Sequence, residues 1–324
     1  MSTAALLLLA STSIFAAVLP SPALIVLNKE EATLAIVDPN TGKVTGRVST
    51  GDGPHEVELS ADGRFAYVTN YGSKSPGNSL SVIDLVAQKE VRRFEVTPMA
   101  RPHGIAVSDG KVWFTAEANK VVGRYDPQAN RIDYLLGTGQ NSTHMVMLNK
   151  DASRLFTANI GSDSISIFSP TPDGTNWNQT VVPVGKGPEG MDLSADGSQL
   201  WTAHSRDGGV SVIDVAAKKV IATMDVATRR SNRIKLTLDG KYALISDLAG
   251  GELVILEVAS RRVVKRMPLG KMPEGILLDP NGTRAFIAVA GDNRIDILDL
   301  KTLTITGRLE TGAGPDGMAW LAGK

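Results

Sequence analysis

Apolar and polar residues alternate in short runs along nearly the whole chain, and the runs are separated by glycine-rich and Asp-Gly turns. In one stretch Leu59-Ser60-Ala61-Asp62-Gly63-Arg64 leads into Phe65-Ala66-Tyr67-Val68-Thr69-Asn70, and a polar loop then leads into Ser79-Leu80-Ser81-Val82-Ile83-Asp84. Period-two runs of β-branched and aromatic residues bounded by such turns predict antiparallel hairpins. Equivalent turns occur at Asp109-Gly110, Asp196-Gly197, Asp239-Gly240 and Asn281-Gly282, with Asp151-Ala152 as a variant. Third strands are predicted at 120–125, 164–168, 209–214, 252–256 and 294–299. Helices should be nearly absent.

The pattern is one phrase repeated seven times. It begins at Pro54-His55-Glu56, Pro102-His103-Gly104, Thr143-His144-Met145, Pro188-Glu189-Gly190, Asn232-Arg233-Ile234, Pro273-Glu274-Gly275 and Pro315-Asp316-Gly317. A spacing of roughly 40 to 48 residues is that of a propeller, in which each four-stranded unit buries its faces against its neighbours. The last unit is split: Gly317-Met318-Ala319-Trp320 supplies its first strand, and 23–28 with 32–38 supply the others. Pairing of the two termini would close the ring and remove its exposed edges. The expected fold is therefore all-β, a seven-bladed β-propeller of four-stranded antiparallel blades, forming a single domain over residues 23–324.

The stretch 59–70, with Ser81-Val82-Ile83-Asp84, resembles the repeat of the YVTN-type β-propeller proteins, the YncE-like group. The resemblance runs over about residues 23 to 322 and implies the seven-bladed fold. Propellers of this appearance include surface-layer modules, lactonases, lyases and haem-binding domains, so the resemblance implies no single activity.

Composition removes several classes. Lys plus Arg and Asp plus Glu both number 34, so no summed charge draws the chain to nucleic acid or to an anionic membrane. The absence of cysteine excludes disulfides, thiolate ligands and a cysteine nucleophile. Residues 1–22 contain the uncharged run Ala4-Ala5-Leu6-Leu7-Leu8-Leu9-Ala10, short for a membrane span, with small residues at Ser13, Ala16 and Ala17. That is the form of a cleaved signal peptide, although no Lys or Arg precedes the run. A periplasmic or secreted protein without a stable membrane span, and monomeric because a closed ring leaves no strand edge free, is the expectation.

Antiparallel strands bring the start of each first strand and the end of each second strand to one mouth of the central channel. The first-strand set is His55, His103, Thr143, Glu189, Asn232, Glu274 and Asp316, with neighbours Glu56, His144 and Arg233. Counting eight residues from each turn aspartate or asparagine gives the second-strand set Asn70, Glu117, Asn159, His204, Asp247 and Val289, with Asn28 from the closing unit. All four histidines fall in these sets, and imidazole suits proton transfer near neutral pH. His103, His144, His204, Glu117 and Arg233 are the candidate catalytic residues. His55, Asn70, Asn159, Arg229, Arg230 and Asp247 are candidate ligand-binding residues. His103, His144 and His204 with Glu117 would also suit a divalent transition metal if their tips converge. The cluster Arg229-Arg230-Ser231-Asn232-Arg233 could hold a carboxylate, or could pair with Asp247 and Glu189. Gly51-Asp52-Gly53 and Gly185-Lys186-Gly187 are turns, since no helix follows to receive a phosphate.

Two functions follow. One is an exported propeller that binds a small molecule or protein partner at the channel mouth, with no nucleic acid involved. The alternative is an enzyme of the lactonase, lyase or cycloisomerase type acting on a small carboxylate. A haem or other redox group held by a channel histidine is a third. The loop 71–79 would serve as a lid, and Trp177 as an exposed partner contact, whereas Trp113, Trp201 and Trp320 read as buried.

Overall fold

The computed structural model describes residues 21–323 and contains 28 strands in seven four-stranded antiparallel sheets. The signal-peptide reading therefore falls almost wholly outside the described residues. Blade 1 is the closing blade, in which Pro315–Leu321 pairs with Ala23–Asn28, followed by Thr33–Val37 and Val44–Ser49. Blade 2 begins at Pro54, blade 3 at Pro102, blade 4 at Thr143, blade 5 at Pro188, blade 6 at Ser231 and blade 7 at Pro273. Among the described residues the only helical turns are three short 3-10 segments, Glu117–Asn119, Ile160–Ser162 and Ala290–Asp292. Among the described residues no helix is long and apolar enough to cross a membrane.

The hydrophobic core is divided into seven clusters, each between two adjacent blades. Ile25 and Leu27 pack toward Val57, Ala66 and Val68 of blade 2, while Leu24 and Val26 on the opposite face pack toward Phe286 and Ala288 of blade 7. Both faces of this second strand of the closing blade are thus buried, which is why Ala23–Leu27 is an unbroken apolar run rather than an alternating one. Outer strands keep the alternation, and Lys89–Glu95 presents every second residue to solvent.

Trp113 and Trp201 are buried as expected, and Trp320 packs against Phe286 with ring centroids 5.7 Å apart. Trp177 is half-buried with its ring edge-on to Trp113, at 6.1 Å, so it belongs to the packing between blades 3 and 4 rather than to a free surface. The loop 71–79 is tied down. The amide and hydroxyl of Ser73 both donate to the Asp52 carboxylate, the Gly77 amide donates to Tyr71 O, and the Arg101 amide donates to Gly77 O.

Candidate functional site

Register decides which side chains reach the channel. The first residue of each inner strand pairs with the last residue of the second: Pro54 with Asn70, Pro102 with Ala116, Thr143 with Asn159, Pro188 with His204, Ser231 with Asp247, Pro273 with Val289 and Pro315 with Asn28. The residues at the end of the second strand turn into the blade. Asn70 donates to Ser79 and Ser81, both at 3.0 Å, and accepts from the Gly51 amide at 3.1 Å. Asn159 donates to Ser164 and Ser166. Asn28 bonds Thr33 and Thr311. Asp247 accepts the amides of Arg229, Arg230 and Gly250. These side chains fasten the strands, since buried polar groups must be paired.

His204 occupies the same position. Its ring is fully buried, with Nδ1 2.9 Å from Asp207 Oδ1, and a Cβ added at Gly185 would lie 2.1 Å from it. It is absent from the lining of the mouth cavity, where the other three imidazoles stand. Asn70, Asn159 and Asp247 are likewise absent from that lining. The physical reason is the two-residue period of a strand: a shift of one position exchanges the mouth for the blade interior.

Glu117 stands directly behind the mouth lining, beside His144 and Tyr71, because the hairpin of blade 3 is two residues shorter, one on each side of its turn, and its second strand ends at Ala116. Its true counterparts are Lys29 and Tyr71, each one residue beyond a strand end, and counting from the turns missed both. The same register places His144, rather than Thr143, level with His103.

Seven inner-strand residues, one per blade, ring the mouth: Asp316, His55, His103, His144, Glu189, Asn232 and Glu274. Together with Lys29, Tyr71, Met145, Arg230, Arg233 and Leu248 they line a cavity of about 220 Å³. Arg229 is exposed and outside this lining.

Blades 2 to 4 supply an aromatic wall. His55 lies 4.8 Å from Tyr71 and 4.9 Å from His103, and His103 stacks on His144 at 3.6 Å between ring centroids. Arg101 covers the outer face of Tyr71 at 4.7 Å. Burial pushes the His55 imidazole down to about 4, and burial with the neighbouring His144 and His55 holds His103 well below its usual value. His55 Nδ1 is 3.1 Å from Gly53 O, so the neutral ring carries its proton there. His144 Nδ1 lies 3.6 Å from Glu117 Oε2. Burial alone would raise Glu117, but His144, the Tyr71 hydroxyl and Arg101 hold it below the usual carboxylate range. Thr69 and Thr115 donate to the carbonyls of His103 and His144, at 2.7 and 2.6 Å, and so fix these residues from the adjacent blade.

The opposite wall is charged. Lys29 Nζ contacts Glu274 and lies 3.2 Å from Asp316 Oδ2. Two buried carboxyls share one ammonium. Burial and the neighbouring Asp316 push Glu274 up to about 8, while Lys29, His55 and Arg233 outweigh burial and hold Asp316 low. The pair therefore retains one proton near neutrality. Asn232 donates to Glu189 Oε1 at 2.9 Å. Buried atoms without a hydrogen-bond partner gather in these walls: His103 Nδ1, His144 Nδ1, Glu117 Oε2, Asn232 Oδ1 and Asp316 Oδ1.

A septum closes the cavity below. The next residue of each inner strand is glycine in four blades, at Gly104, Gly190, Gly275 and Gly317, and a side chain in three, at Glu56, Met145 and Arg233. The glycines allow close approach: a Cβ at Gly275 would lie 2.2 Å from Asp316 O, and one at Gly317 2.1 Å from His55 O. The three side chains meet: Arg233 pairs with Glu56 and donates to Met145 Sδ at 3.4 Å. Beneath them a second cavity of about 390 Å³ is lined in part by Glu58, Met147 and Lys235.

Among the described residues no three His, Cys, Asp or Glu side chains are grouped so as to hold a metal. His103 and His144 lie ring against ring with their planes tilted by 31°, and His204 lies inside its blade.

The sequence profile described as "YNCE-like beta-propeller" matches residues 2–180, more than half of the chain. The chain belongs to this family. A second profile, "Lactonase, 7-bladed beta-propeller", matches residues 137–311. The uncharacterized protein YncE of Salmonella typhimurium is 20% identical over 169 residues, 51% of this chain and 47% of that protein, so the match spans about half the relative's length. Among solved structures, a putative 6-phosphogluconolactonase from Bacteroides uniformis superimposes with a TM-score of 0.77 at 17% identity, covering 93% of this chain and 99% of the other. The periplasmic gluconolactonase of Pseudomonas aeruginosa gives 0.77 at 16% identity, covering 94% and 99%. At these identities the likeness is one of fold, and the YncE-like ring supplies the frame for its own mouth chemistry.

Proposed function

We propose that this YncE-like propeller binds a small polyhydroxylated lactone in the mouth cavity and hydrolyses it to the hydroxy acid. One observation carries the reading: a candidate proton acceptor, His144 backed by Glu117, and a proton-holding carboxyl pair, Glu274 with Asp316, stand three blades apart around one 220 Å³ cavity. The two carboxyls behind these roles are moved apart by their surroundings, Glu117 held low and Glu274 pushed up, as paired base-side and acid-side groups require. The unpartnered buried atoms add to it, since Asn232 Oδ1 and Asp316 Oδ1 are acceptors in the cavity lining and suit a ligand rich in hydroxyl donors. The lactonase profile covers His144, Glu189, Asn232, Arg233 and Glu274.

In this reading water attacks the lactone carbonyl and its proton passes to His144 Nε2, the nitrogen turned away from Glu117. The acyl–oxygen bond breaks, and the ring oxygen takes the proton held by Glu274 and Asp316. His144 then returns its proton to that pair through water. The Lys29 ammonium stabilises negative charge developing on the former carbonyl oxygen. The leader-like run at residues 1–22 and the periplasmic neighbour support export to the periplasm or medium. The closed ring supports a monomer with a small-molecule rather than a protein partner.

The test is proton release from glucono-1,5-lactone and related aldonolactones in a pH-stat, with binding followed by calorimetry. Catalysed hydrolysis reduced about 100-fold or more in His144→Ala is expected. Hydrolysis at the spontaneous rate would overturn the reading, and saturable lactone binding without turnover would instead identify a ligand-holding propeller.

A further inference from the structure

We propose that Glu56 masks the Arg233 guanidinium at the floor of the mouth cavity and thereby makes the site select uncharged lactones over phosphorylated or carboxylated ones. The selectivity rests on the lactone reading above; the masking itself does not.

Arg233 is nearly buried, and among the described residues its one carboxylate partner in direct contact is Glu56, which reaches it from blade 2 across the channel axis. A buried guanidinium with a free fork would be the strongest anion-binding group in the cavity, because it presents paired donors at fixed spacing. Here the carboxylate of this chain takes that place, and the neutral thioether of Met145 takes another N–H.

The fold does not require Glu56. The equivalent position is glycine in four of the seven blades. Only where Arg233 projects does a carboxylate stand opposite. Its presence therefore answers Arg233 rather than the packing of the inner strand.

The remaining charges act in the same direction. Lys29 is held between Glu274 and Asp316. Arg230 is the one lining cation with no carboxylate partner among the described residues, and it is exposed at the rim. Of the charged residues that line the cavity, Lys29, Arg230 and Arg233 face Glu189 and the Glu274–Asp316 pair with its one retained proton, and Glu56 in the septum brings the negative charge level with the positive. An anionic ligand would add negative charge to a cavity whose buried cations are already answered by carboxylates, whereas a neutral polyol meets only hydrogen-bonding groups.

The test uses the full chain and inorganic phosphate as the probe, by titration calorimetry at low ionic strength and pH 7.5. Glu56→Gln should bind phosphate at least about tenfold more tightly than wild type. Glu56→Gly, which installs the residue found in four other blades, should do the same if the glutamine variant folds poorly. Adding Arg233→Gln to either should abolish the gain. In the lactonase assay the preference for glucono-1,5-lactone over its 6-phosphate should shrink in the same variants. Equal phosphate binding in wild type and both Glu56 variants, with thermal melts showing folded protein, would overturn the masking. A phosphate gain with no hydrolysis of either lactone would uphold the masking and refute the lactone reading alone.

Discussion

The two walls of the mouth solve one problem in opposite ways. Blades 2 to 4 bury His55, His103 and His144 against one another and against Tyr71, and burial keeps His55 and His103 uncharged. Blades 5 to 7 and the closing blade bury true charges and answer each with a partner: Lys29 with Glu274 and Asp316, and Arg233 with Glu56 through the septum. Adding a proton therefore disturbs the first wall, and removing a partner disturbs the second. A buried charge is tolerated only while its counter-charge remains.

Lys29→Met should give the largest effect. It leaves Glu274 and Asp316 buried together without the ammonium and should cost about 3 kcal/mol at pH 8. Both carboxyls would then have folded-state pKa values above their unfolded ones. The deficit should shrink as the pH falls and they take up protons, which chemical denaturation at pH 8 and pH 5 would read. An equal deficit at both pH values would mean that the charged wall does not depend on this pairing.

Behind the aromatic wall, Asn70→Ala removes an acceptor from the Gly51 amide and a donor from Ser79 and Ser81. It should destabilise by about 2 kcal/mol while leaving ligand affinity within about twofold, because the side chain lies in the blade. A large loss of affinity with unchanged stability would place Asn70 in the mouth after all.

His55 gives the third effect. Its folded pKa, down to about 4, lies below the unfolded value near 6.5. Its contribution is present above pH 6.5 and is lost as the pH falls toward 4, because the unfolded chain then binds the extra proton. Glu274, pushed up, works in the opposite sense over part of this range, so the difference between wild type and His55→Phe is the useful quantity. Stability curves of the two proteins should converge by about 1–2 kcal/mol between pH 7 and pH 4.5.

The smallest effect is expected from Tyr71→Phe. It removes the hydroxyl that Glu117 accepts but keeps the ring against His55 and His103. Stability should change by less than about 1 kcal/mol, while the pH optimum of the proposed hydrolysis should move as Glu117 loses a stabilising donor.

Much of this was legible in the chain. The repeated phrase predicted seven blades, their four strands and the closure by 317–320 against 23–28, because each strand carries its own turn signals and its own period. The first-strand positions His55, His103, Glu189, Asn232, Glu274 and Asp316 were placed at the mouth by the same repeat. The second-strand set stops one residue short of the cavity lining. Asn70, Asn159, His204 and Asp247 hold strands together inside the blades, and Lys29 and Tyr71, one position further on, reach the mouth. In blade 3 the shorter hairpin moved the count by one and brought Glu117 directly behind the mouth lining.

By itself, then, the sequence determined the local conformation and the number of units, since turn chemistry and period-two patterning act within a few residues. The tertiary structure decided which side chains meet. His204 and His144 are alike as residues, yet one is fastened within its blade and the other stacks on His103, because strand register and the junction between blades set direction. The pairing of Glu56 with Arg233 across 177 positions of chain arises only when the ring closes and both side chains reach the same axis.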